Sequence, residues 1–117
     1  MTSDSVDMIN HPPHYTQHPS GWECIQVTRH CPFSLGNAIK YLWRAEHKNG
    51  SEDLKKARWY LNDVIEHGGT FPPFPVSRML RDVAKAESDE ARYEMFMHLA
   101  AGYYEHVVKV IDEVLGD

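Results

Sequence analysis

The chain has 117 residues, 42% of them apolar and 25% charged, which suits one small domain with a modest core and leaves no room for a second. Its net charge of −5 and pI near 5.9 exclude the strongly basic face that wrapping duplex nucleic acid requires, but not a local cationic patch for one small phosphorylated ligand. No apolar run is long enough to cross a membrane and no signal-peptide pattern is present, so Cys24 and Cys31 are expected to be free thiols in a reducing cytosol.

Residues 1–20 are rich in Pro, His, Ser and Thr, and Pro12, Pro13 and Pro19 forbid a continuous helix, so an extended Pro/His-rich arm is expected. It carries His11, His14 and His18. The prolines deny them the helical i, i+4 arrangement and no cysteine pair with zinc spacing accompanies them, so no metal site is expected. His14 and Tyr15 read instead as a lid over a ligand, or simply as a pinned arm.

Residues 21–69 form the front half. Gly21 to His30 predicts a short helix with Trp22 and Ile25 on one face, stopped by Pro32. Ser34 is placed to cap the next helix, where Leu35, Ala38, Ile39 and Leu42 recur at the helical period and face a core. Asn37, Lys40, Arg44 and Lys48 fall on the opposite face. Asn49-Gly50 breaks that helix and Ser51 starts another, with Glu52 and Asp53 against the positive end of its dipole. Its core stripe is Leu54, Ala57, Leu61, Val64 and Ile65. Trp59 lies off the stripe with Lys55, Asn62 and Asp63, and Gly68-Gly69 closes the hairpin.

Residues 70–75, Thr-Phe-Pro-Pro-Phe-Pro, read as a stiff Pro-rich connector to a C-terminal helical region, 76–117. Val76, Met79, Leu80, Val83 and Ala84 predict a short helix, and Ser88 caps a long one running to about Leu115. Tyr93, Phe96, Ala100, Tyr103, Val107, Val110 and Val114 make a heptad-like seam along it. In so small a chain another subunit is the expected partner of that seam. With no alternating strand pattern and no repeat, the fold class is all-α, a single helical domain over 1–117.

The chemistry concentrates in the front half. Lys40, Arg44 and Lys48 at four-residue intervals put cations on one ridge, able to hold a di- or triphosphate, with Arg gripping two oxygens at once. A solvated helix face looks the same, but Asn37 continues the stripe and the next helix adds Lys55, Lys56 and Arg58 across a short turn. Trp59 suits stacking on a base, worth roughly 1–3 kcal/mol, or equally a subunit contact. Glu23, Glu52 and Asp53 are the carboxylates available to a base or a magnesium ion, Glu52 and Asp53 also being ordinary helix-start residues. The absence of G-x-x-x-x-G-K-[ST] and G-x-G-x-x-G excludes a P-loop and a Rossmann crevice.

Asn10-His11-Pro12-Pro13-His14-Tyr15, Gly21-Trp22-Glu23-Cys24-Ile25, Gly36-Asn37-Ala38-Ile39-Lys40-Tyr41-Leu42-Trp43-Arg44-Ala45 and Glu52-Asp53-Leu54-Lys55-Lys56-Ala57 with Trp59-Tyr60-Leu61 together resemble a family of small phage proteins. Most of its members are of an unknown-function domain type, and the one functional label is the nucleotide kinase of T7-like phages. The resemblance covers about residues 8 to 67 and leaves 70–117 without a family motif. It implies phosphoryl transfer from a nucleoside triphosphate to a deoxynucleoside monophosphate, by an oligomer in the host cytoplasm. The positions carried over are His11, His14, Tyr15, Glu23, Asn37, Lys40, Arg44, Asp53 and Lys55. The chain departs from the family at Gln26, where relatives often have an acid, and at Glu46, where they often have Gly.

The expected machinery is therefore Lys40, Arg44, Asp53 and Glu23 as catalytic residues, with His11, His14, Tyr15, Asn37, Lys55 and Trp59 holding the substrate, and no resident metal beyond magnesium travelling with the nucleotide. The expected partners are a nucleotide and further copies of the chain, not duplex nucleic acid or a membrane. A nucleotide-binding oligomer without turnover would use the same stripe. An interaction module would instead use the back helix, and a helical pyrophosphohydrolase would need a carboxylate face that Glu87, Glu90 and Glu94 supply weakly.

Overall fold

A computed structural model describes residues 18–45 and 50–117, and these are all-helical, with no strand among the described residues. In chain order the helices are α1 Cys24–Thr28, α2 Phe33–Arg44, α3 Gly50–Glu66, α4 Phe74–Lys85, α5 Glu90–Ala101 and α6 Tyr104–Leu115. None is long and apolar enough to cross a membrane. Each helix packs on two others: α2 on α1 and α3, α3 on α6, α6 on α5, α5 on α4, and α4 back on α1. The six close a ring around one core.

The apolar stripes read from the sequence build that core. Leu35, Ala38, Ile39 and Leu42 of α2, Leu54, Ala57 and Leu61 of α3, and Val76, Leu80, Val83 and Ala84 of α4 are all buried. Val64, Ile65 and Met79 pack at its margin. Trp43 is also fully buried, edge-on to Phe96 with ring centroids 6.1 Å apart. It is the largest side chain of the core.

The ends of the helices differ from the expectation. Pro32, not Ser34, stands at the N-cap of α2, because the Ser34 hydroxyl is drawn across to Asp63 of α3. Helix α4 begins at Phe74, so Pro75 lies inside its first turn, where a missing N–H breaks no intrahelical bond. Asp89, not Ser88, caps α5, accepting the Arg92 N–H at 2.9 Å.

The single long C-terminal helix is two helices. Gly102 takes φ 78°, a left-handed conformation that L side chains rarely adopt. Its N–H bonds to the Leu99 carbonyl and that of Tyr103 to His98, which ends α5 in a Schellman turn. Helix α6 then folds back onto α5 and α3. The heptad-like seam is consequently divided: Phe96, Ala100, Val107 and Val110 are buried inside the chain, while Tyr93, Tyr103 and Val114 are exposed.

Candidate functional site

Helices α2 and α3 run antiparallel, with Ser34 opposite Asp63, Tyr41 opposite Tyr60 and Arg44 opposite Asp53. Midway along this hairpin the Tyr41 ring stacks on Tyr60, centroids 6.0 Å apart and planes 9° apart. Three cations surround it: Lys40 Nζ lies 4.7 Å from the Tyr41 centroid, Lys56 Nζ 5.3 Å and the Arg44 guanidinium carbon 5.8 Å. The ring's negative faces attract each cation, and although Asp53 offsets the Arg44 charge, the two lysines still repel one another. A multiply charged anion would relieve that repulsion. Trp59 meets Tyr60 edge-on at 5.1 Å and is 64% exposed, and Phe33 meets it at 6.0 Å and is 76% exposed, so aromatic surface adjoins the charge.

Behind this face, Arg44 Nε donates to Asp53 Oδ2 at 3.1 Å, and the Asp53 side chain is 1% exposed. Asp53 lies in the first turn of α3, as expected, and is also buried against an arginine from the neighbouring helix. Its other oxygen, Oδ1, is without a hydrogen bond among the described residues. Asp53 fixes where the Arg44 guanidinium stands.

Of the other residues singled out, Asn37 lies on the ridge of α2 with Lys40 and Arg44, its Nδ2 donating to the Phe33 carbonyl at 2.9 Å. Lys55, the lysine expected to hold the substrate, is exposed on the ridge that leads to Trp59, and it is Lys56, one residue on, that lies beside Tyr41. Arg58 turns away to the C-terminal end of α6, where Asp112 at 2.6 Å and Asp117 at 2.8 Å accept from it. Hydrogen bonds to those two carboxylates push its pKa up, so it stays a neutralised cation. Glu23 is the N-cap of α1, and its N–H donates to the Gln26 side chain at 2.8 Å. The residue that departs from the family therefore has a capping role that an acid would fill equally well. His11, His14, Tyr15, Glu46 and Lys48 lie outside the described residues.

The other end of the same hairpin opens into a cleft of about 410 Å³. Leu35, Val64 and Phe71 give it apolar walls, and Ser34, Asp63 and His67 line it with polar groups. The Ser34 hydroxyl donates to Asp63 Oδ2, while His67 Nδ1 lies 2.9 Å from the Asp63 carbonyl and 3.3 Å from Oδ1. The bond to that carbonyl, then the Asp63 charge, raises the pKa of His67. Tyr104 closes the floor with its hydroxyl on the Thr70 carbonyl at 2.6 Å, and burial followed by the nearby Cys31 pushes its pKa up to about 12. A periodic signal for this wall exists in the sequence, since Lys56, Tyr60, Asp63 and His67 recur at intervals of four, three and four.

Two further groups matter by what they do not offer. Both thiols are free, and burial pushes Cys24 up to about 12 and Cys31 to about 11, which leaves neither as a nucleophile. Glu87 is buried between His18 and Arg92, at 2.8 and 3.0 Å. His18 Nδ1 accepts from the Ser20 N–H at 3.0 Å, so Nε2 carries the hydrogen donated to Glu87. Glu90 and Glu94 are exposed. Among the described residues no group of three or more His, Cys, Asp or Glu is placed to hold a metal ion.

No curated protein and no solved structure matches this chain. Residues 9–62, just under half of it, match a family described as a protein of unknown function (DUF3310). The match takes in Lys40, Arg44, Asp53, Lys56, Trp59 and Tyr60 and ends one residue before Asp63, so the chain is similar to that family across the cationic face but not over the α3 wall of the cleft.

Proposed function

We propose that the α2–α3 face takes the phosphates of nucleotides and that the protein is a nucleotide kinase, moving a phosphoryl group from a nucleoside triphosphate to a deoxynucleoside monophosphate. The observation that carries the reading is the set of three cations around Tyr41, with Arg44 held by buried Asp53. Phosphoryl transfer asks a protein chiefly for positioning and for neutralising the charge spread over the moving group. Lys40, Lys56 and Arg44 supply that charge from two rigid helices. An oxygen of the acceptor monophosphate attacks the terminal phosphorus, the bond to the bridging oxygen breaks, and two diphosphates leave. A phosphate monoester with a second pKa near 6 is largely ionised at neutral pH, so the attacking oxygen needs no general base. Asp53 behind Arg44 and Gln26 in place of an acid are compatible with that chemistry. The resemblance to the phage nucleotide kinase supports the reaction, and a homo-oligomer is the working form it implies.

The test is diphosphate formation from a panel of deoxynucleoside monophosphates and triphosphates, with and without magnesium. Arg44→Ala is expected to lower turnover by about a hundredfold or more, the scale of losing one donor to transition-state charge. Equal turnover by that variant would overturn the assignment.

A second reading is a nucleotide-binding protein without turnover. It is favoured by the engagement of the two carboxylates expected to be catalytic, Glu23 as the N-cap of α1 and Asp53 as the partner of Arg44. Saturable nucleotide binding with no diphosphate formed, under every metal condition, would decide for it.

A further inference from the structure

The cationic cluster and the cleft lie along one groove. On α3, Lys56, Tyr60, Asp63 and His67 share a ridge, and on α2 Ser34 and Tyr41 stand two turns apart on the side facing it. From Lys56 to Asp63 the rise is roughly 10 Å, the kind of span that separates a nucleotide's base from its outer phosphates across the sugar. Tyr60 joins the two ends, stacked on Tyr41 towards the cations and edge-on to Phe33 towards the cleft. The cleft's 410 Å³ is within the range of about 300–1,000 Å³ typical of small-molecule sites, and its apolar walls suit a flat ring.

We infer that the cleft at Ser34, Asp63 and His67 is the base pocket of the nucleotide site, with the Asp63 carboxylate accepting an N–H edge of the base. This rests on the nucleotide reading above. A carboxylate oxygen has two acceptor positions, so Oδ2 can keep the Ser34 hydroxyl and Oδ1 can keep His67 while each takes a further donor. The base then enters between Leu35 and Val64, under Phe71, and the sugar crosses Tyr60 to bring the phosphates to Lys56, Lys40 and Arg44. On this assignment exposed Trp59 is not the stacking platform. The cleft's α3 wall lies outside the residues that match the family, so the pocket is an observation independent of that match.

The experiment separates the two ends by using half-ligands. Tripolyphosphate reports the cationic end alone, a nucleoside reports the cleft alone, and a nucleoside triphosphate reports both, each titrated by calorimetry. Asp63→Asn should weaken nucleoside and nucleoside triphosphate binding roughly tenfold or more, the effect of losing an acceptor charge, and leave tripolyphosphate unchanged. In the unaltered protein the His67 ring proton resonances should shift when nucleoside is added and stay put with tripolyphosphate, a measurement that stands even if the variant folds poorly. Tripolyphosphate that fails to bind, with nucleoside still shifting His67, would remove the phosphate reading and keep the pocket. A Trp59→Ala variant that loses base affinity, beside an Asp63→Asn variant that keeps it and a silent His67, would overturn the pocket.

Discussion

One residue step on a helix is a rotation of about 100°, and that step separates Lys55 from Lys56. Lys56 reaches the Tyr41 ring, whereas Lys55 points along the Trp59 ridge. If the anion sits where the three cations converge, Lys56→Ala should weaken tripolyphosphate binding roughly tenfold, the scale of one lost hydrogen bond to a charged group, while Lys55→Ala changes it by less than about twofold. Equal losses from both variants would mean that the anion contacts the outer ridge. What was legible here is the face and not the member. Periodicity assigns Lys40 and Arg44 to the outside of α2 because their own helix determines it. It is silent on which lysine of α3 meets a tyrosine of α2, because that depends on the crossing of two helices. The burial of Asp53 was illegible for the same reason: a place at the helix start does not fix it, and only the neighbouring Arg44 explains a side chain 1% exposed.

At the scale of elements, the core stripes of α2, α3 and α4 were readable because each is a run of apolar residues at one period. The break between α5 and α6 was hidden, since Tyr103, Val107, Val110 and Val114 continue the three-and-four spacing of α5 across the turn. Gly102 was the available signal, a residue whose φ of 78° ends α5 and whose missing Cβ leaves room for Phe71. A Cβ there would come 2.8 Å from Phe71 Cδ1, whereas at Gly68, φ 69°, it would meet nothing within 4 Å. Gly68→Ala should therefore cost only the left-handed strain, about 1–2 kcal/mol, and Gly102→Ala about 1 kcal/mol more for moving Phe71 off the turn. Urea midpoints of the two variants test the difference. Equal losses would show that Phe71 does not pack on Gly102 in solution. Because Phe71 also roofs the cleft, Gly102→Ala links the C-terminal helices to the candidate site.

At the scale of the molecule, the ring of helices is closed by a buried network that no single element predicts. Arg92 of α5 donates to the Leu42 carbonyl at 2.8 Å and to that of Trp43 at 3.4 Å, satisfying the last turn of α2, while its Nε holds Glu87. Glu87 in turn holds His18, which packs on Trp43 with centroids 5.2 Å apart. Front and back halves thus share one set of charges. Burial alone would raise the Glu87 carboxyl above its ordinary 4.5, but the hydrogen bonds from His18 and Arg92, together with the Arg92 charge, outweigh it and the net direction is down. A carboxyl lowered on folding contributes stability at pH values above its unfolded pKa, and that contribution disappears as pH falls through the lower folded value. Glu87→Gln should cost about 1–3 kcal/mol at pH 7, because a buried charge-assisted hydrogen bond from Arg92 becomes a neutral one. As pH drops below 4.5 the wild-type carboxyl takes up a proton and comes to resemble the amide, so the gap between the two proteins should narrow through that window. Urea unfolding at pH 7 and at successive steps below pH 4.5 measures it. A gap that stays constant with pH would assign the loss to altered packing around Trp43 and Phe96, and not to the charge that ties the two halves together.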